Sequence, residues 1–221
     1  MIFVGPATRD EVNLHWLRSE WSKLQLPEEA RYLIDSANLN DSVQNGERAR
    51  ILSASRHFIL DYIPGDARYR YVRVEEDDLP RLFILTCWDW FLDTGRMFAL
   101  TNTLTHLQHG RGGDIGGRRV PIDHLRTVEE KIPYIRNYEA DAPYEYLILV
   151  ATKETGPYTI IDGTHRAAAL LVEHQEKPTT PWNAILIDSM NMTANRWHVG
   201  FADAPQIVSG LNALAVDGDI W

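Results

Sequence analysis

Asp162-Gly163-Thr164-His165-Arg166 puts an acid, a glycine, a hydroxyl and two basic side chains in five consecutive positions. The apolar run Tyr158-Thr159-Ile160-Ile161 precedes them, and Ala167-Ala168-Ala169-Leu170-Leu171 follows. That order predicts a strand, a tight turn and a helix. Gly163 lets the backbone take a positive φ or approach a ligand closely. Thr164 is a natural N-cap. The first amides of a helix and its positive dipole end favour an anion, and a basic residue there is disfavoured unless an anion completes the site. With Arg166 and His165 beside those amides, the seam is a candidate oxyanion or phosphate site. The competing assignment is a solvated basic pair, or an Arg166 bridge to Asp162 or Glu173.

Phosphoryl transfer is one chemistry coherent with such a seam. It needs positioning and charge neutralisation more than covalent work. Mg²⁺ on the phosphates and one carboxylate would complete the neutralisation. A second carboxylate would take the proton of an attacking hydroxyl.

The elements that position this seam come from the rest of the chain. Thr8 with Glu11 reads as a capping box for a helix over 8–24 that carries Val12, Trp16 and Leu17 on one face. A second helix is expected from about Glu47 to Tyr62, closed by Pro64-Gly65. Residues 67–74 alternate as a strand, with Tyr69, Tyr71 and Arg73 opposite Arg70, Val72 and Val74. Leu79–Leu92 is largely apolar, and periodicity does not separate strand from helix there. The glycine-rich stretch His109–Arg119 holds no regular element. It is a linker or a functional loop, and it fits neither a P-loop nor a dinucleotide fingerprint. We place a boundary there, between a mostly helical region with some strand (1–110) and a C-terminal module (111–221). In the module, Arg118–Leu125 reads as a short strand, the stretch after Thr127 as a helix limited by Pro133, and Tyr144–Thr152, Tyr158–Gly163 and Asn183–Asp188 as strands. Strands alternating with helices indicate an α/β or α+β module.

At these residues the chain resembles the ParB/sulfiredoxin superfamily. Its Ile160-Ile161-Asp162-Gly163-Thr164-His165-Arg166 looks like the Gly-x-His-Arg helix start of that group. It is most similar to the free serine kinase branch, which reads roughly Asp-Gly-His-His-Arg. Val120–Ile132 lies about where that branch has a strand and then an acidic loop, and Glu129-Glu130 matches its Glu-Glu pair. The resemblance spans residues 118–188. It implies an α+β fold with a small mixed sheet and flanking helices, and a nucleotide, ATP or ADP, cradled by Gly163, Thr164, His165 and Arg166. It also implies a base at Glu130 or Glu129, and metal or substrate binding at Asp162. Sulfiredoxin carries its catalytic cysteine where this chain has Thr164, so sulfinic acid reduction is not expected. The expected activity is a kinase acting on a small hydroxylated metabolite such as an amino acid, with Mg²⁺. The alternatives are a ParB-like nucleotide-binding regulator associated with DNA, or a ParB-like nuclease.

Further candidates lie outside the seam. Arg196 and Trp197 are candidates for substrate binding, although a Trp in such a position also serves as packing. His106 and His109 are too few for a zinc site. His124 reads as packing. The lone cysteine, Cys87, sits in an apolar stretch as a buried thiol and allows no internal disulfide.

Charge narrows the function classes. The net charge is −9, and acids outnumber bases in residues 1–110 (16 against 12) and in 111–221 (15 against 10). Neither half carries the basic footprint of phosphate-backbone binding, so nucleic acid is not an expected partner. No run reaches the roughly 18 apolar residues of a membrane span, and the start lacks the basic region of a signal peptide. A cytoplasmic location is the resulting expectation.

Overall fold

The computed structural model describes residues 1–85, 99–101, 124–136, 146–176 and 182–194. The glycine-rich stretch, Cys87, His106, His109, Arg196 and Trp197 lie outside the described residues, as does the boundary at 110/111.

Mixed helix and strand form an α+β structure built on one six-stranded sheet. Its strands are β1 (Ile2–Ala7), β2 (Arg68–Val74), β3 (Leu82–Ile84), β4 (Leu147–Ala151), β5 (Tyr158–Asp162) and β6 (Trp182–Asp188). The order is β1-β2-β6-β4-β5-β3. Pairs β6–β4 and β5–β3 are parallel, and the other three are antiparallel. Strands from both sides of the expected boundary therefore share one sheet, joined where all seven residues of β2 pair with β6. The helices are α1 (Arg9–Glu20), α2 (Tyr32–Asp35), α3 (Ser42–Leu60), α4 (His124–Arg136) and α5 (Thr164–Glu176).

The central strands are buried on both faces, which is why they read as unbroken apolar runs rather than alternating ones. Leu147, Leu149, Tyr158, Ile160, Ala184 and Leu186 face one layer, with Val128 of α4 and Ala167–Leu171 of α5. Ile148, Val150, Ile161, Ile185 and Ile187 face the other, with Val12, Trp16 and Leu17 of α1 and Leu52 of α3. The side-chain period of two in each strand produces this division. Ala167, Ala168 and Ala169 are fully buried, so their small side chains bring α5 close against the sheet.

The capping box of α1 is present as expected. Thr8 Oγ1 accepts from Glu11 N at 3.2 Å, and Glu11 Oε2 accepts from Thr8 N at 2.7 Å. Other boundaries differ from the sequence expectation. Helix α3 starts at Ser42, because Asp41 Oδ1 accepts from the amides of Val43 and Gln44 and supplies the cap. Helix α4 already includes His124 and Leu125, which the sequence suggests are strand, and it runs on through Pro133. Buried Val128 and partly buried Ile132 anchor α4 to the core, and this packing outweighs the bond that proline removes. The strand Ile2–Ala7 was not expected; it pairs with β2 at the sheet edge.

Candidate active site at the β5–α5 seam

β5 ends at Asp162 and α5 begins at Thr164, leaving Gly163 alone to make the turn. Gly163 has φ +90°, a conformation that favours glycine. The first helical bond runs from Ala167 N to Gly163 O at 2.8 Å. Gly163 therefore holds the N-cap position expected for Thr164, since a positive φ excludes a threonine from it. A Cβ at Gly163 would stand 2.7 Å from Leu147 Cδ2, 2.9 Å from Arg166 Nη2 and 3.2 Å from Arg166 Nε. The Arg166 guanidinium is thus folded back over the glycine, in space that only a missing side chain leaves.

Arg166 meets an acid there. Its Nη2 donates to Asp162 Oδ2 at 2.8 Å, and the two side chains retain 13% and 11% of their surface. This is the intramolecular bridge weighed against a phosphate site in the sequence. The same Asp162 oxygen accepts the Ser19 hydroxyl at 2.9 Å, from the C-terminal turn of α1. Burial pushes the Asp162 carboxyl above the usual carboxylate range; Arg166 opposes that shift, and neighbouring Glu20 adds to it. Glu20 is itself buried and pairs with Arg56 and with Lys23. A metal on Asp162 Oδ2 would have to displace the guanidinium. Among the described residues, no group of three or more His, Cys, Asp or Glu side chains is arranged to hold a metal.

His165 turns towards α4. Its Nε2 lies 2.8 Å from Nδ1 of His124, so one ring donates and the other accepts. Burial pushes His165 down to about 3, and the nearby charges of His124, Lys23 and Lys131 act in the same direction. A neutral imidazole follows at ordinary pH. His124 is buried, as packing would require, but it lies in a helix and bonds the seam directly.

The structure thus brings together Asp162, Gly163, Thr164, His165 and Arg166. It adds Ser19 and His124, which sequence reasoning did not assign to the site. Glu129 and Glu130 stand apart. Both are exposed, in the second turn of α4, and Glu130 lies 3.5 Å from Arg126. At about 100° per residue they point away from the buried stripe of His124 and Val128. Arg196 and Trp197 are outside the described residues. No helix among the described residues is long and apolar enough to cross a membrane. No protein-family model, no curated protein and no solved structure matches the chain.

Proposed function

We propose that the chain is a nucleotide-dependent phosphotransferase, moving a phosphate from ATP or ADP to the hydroxyl of a small metabolite such as an amino acid. One observation carries this: Asp162 Oδ2 receives a hydroxyl from Ser19 and a guanidinium from Arg166 at the same time. A phosphoryl acceptor needs a carboxylate on its hydroxyl and a cation beside the incoming phosphate. Here both stand on one oxygen, at the first turn of a 13-residue helix.

In this reading Asp162 is the proton acceptor. Its raised carboxyl lies nearer the working pH than an ordinary aspartate, which suits a general base. Arg166 exchanges Asp162 for phosphate oxygens, with the amides of Thr164–Arg166 ahead of the helical ladder as further donors. Gly163 keeps the approach open. Neutral His165, tied to His124, orients the turn without adding charge. Mg²⁺ would travel with the nucleotide phosphates rather than on Asp162. Glu129 and Glu130, exposed on α4, receive no role in the transfer.

The test is phosphate transfer from ATP or ADP with Mg²⁺ to a panel of hydroxylated amino acids, followed by phosphorus NMR. A new phosphomonoester is expected with the wild type, and at least about a hundredfold less with Asp162→Asn. Hydrolysis or silence with every acceptor would contradict the proposal.

A further inference from the structure

We infer that Ser19 is itself a phosphoryl acceptor, so that the protein phosphorylates its own α1 helix when a nucleotide occupies the seam. This rests on the phosphotransferase reading and deepens it. Ser19 Oγ donates to Asp162 Oδ2 at 2.9 Å, although 143 residues separate them in the chain. Nucleophile, base and cation are therefore already assembled: Ser19 Oγ, Asp162 Oδ2 and Arg166 Nη2. Ser19 Oγ also reaches Trp16 O at 2.9 Å, the backbone carbonyl one turn earlier. Its single hydrogen serves one acceptor at a time, and the orientation towards Asp162 is the reactive one.

The step balances. The Ser19 O–H bond breaks and its proton passes to Asp162. The oxygen forms a bond to the terminal phosphorus, and the bond from that phosphorus to the nucleotide breaks. The leaving nucleotide keeps the electron pair, and phosphoserine remains at residue 19. The group carries about −1.5 to −2 charges near neutral pH. Cations lie near it: Arg166 shares the Asp162 oxygen, and both Lys23 and Arg56 pair with adjacent Glu20. The phosphate would compete with Asp162 for Arg166, so modification would occupy the cation that the nucleotide needs. The outcome is a site that silences itself when no acceptor arrives.

The full chain, purified free of phosphate, is incubated with Mg²⁺ and ATP and mapped by tandem mass spectrometry, with nucleotide binding measured by calorimetry on the phosphate-free protein before incubation. One phosphate on Ser19 is expected. Ser19→Ala should carry none, Ser19→Thr should still be modified, and Asp162→Asn should react at least about a hundredfold more slowly. Melting curves by circular dichroism show that the variants fold, and site mapping on the wild type stands without them. Bound nucleotide with no phosphate on Ser19, or with phosphate on another residue alone, overturns the inference and leaves the phosphotransferase reading intact. Absence of nucleotide binding overturns both.

Discussion

Arg166 Nη2 donates to Asp162 Oδ2 at 2.8 Å across the Gly163 turn, so the base that opens α5 is met by the acid that closes β5. A basic residue in a first helical turn is unfavourable alone. The buried carboxylate four positions back offsets that cost in the free protein. A ligand phosphate would take over the same task.

Removing one partner should be far worse than removing both. Arg166→Ala leaves a buried carboxylate without its cation and should cost about 3 kcal/mol in urea unfolding. Adding Asp162→Asn to it should recover about 1–3 kcal/mol of that loss. Strictly additive effects in the double-mutant cycle would show that the pair is not coupled.

Gly163→Ala combines an unfavourable φ of +90° with contacts to Leu147 and Arg166. A loss of about 1–3 kcal/mol is expected in the same unfolding assay. A variant as stable as the wild type would mean that the turn can relax without cost.

The histidine pair sets a pH dependence. His165 titrates at about 3 when folded, against 6.5 for the ordinary group. Between those values the unfolded chain binds more protons, so stability rises with pH. The contribution is complete above about 6.5 and is lost as pH falls towards about 3. Asp162 acts in the opposite sense, because its folded carboxyl lies above the ordinary 3.8. Its contribution is present below that value and lost as pH rises past it. The wild type should therefore gain stability over His165→Asn between about pH 4 and about pH 7. An equal pH slope for the two proteins would be the contrary result.

What the sequence discloses and what it hides follow from distance along the chain. The Thr8–Glu11 box, the alternation of β2 and the Asp162–Arg166 seam are each set within a few residues, and each is legible. Asp41 is also local, but the expected helix start at Glu47 passed over its capping role. Ser19 and His124 lie 143 and 41 residues from their seam partners, so their roles arise only when the sheet brings α1 and α4 to the end of β5. Thr164 has the right chemistry for a cap, but the required φ gives the position to Gly163. Glu129 and Glu130 match a motif by type, yet buried His124 and Val128 fix the rotation of α4 and turn them to solvent. Arg196 and Trp197, the remaining candidates, lie outside the described residues.

The central claim is that the seam holds a nucleotide phosphate, and calorimetric titration of the full chain with ATP and with ADP in Mg²⁺ tests it most directly. The account predicts saturable binding of at least one of them. It also predicts a loss of roughly 1.5–3 kcal/mol on Arg166→Ala, the scale of a charge-assisted contact. No heat of binding from either nucleotide, or full affinity retained by Arg166→Ala, would contradict it.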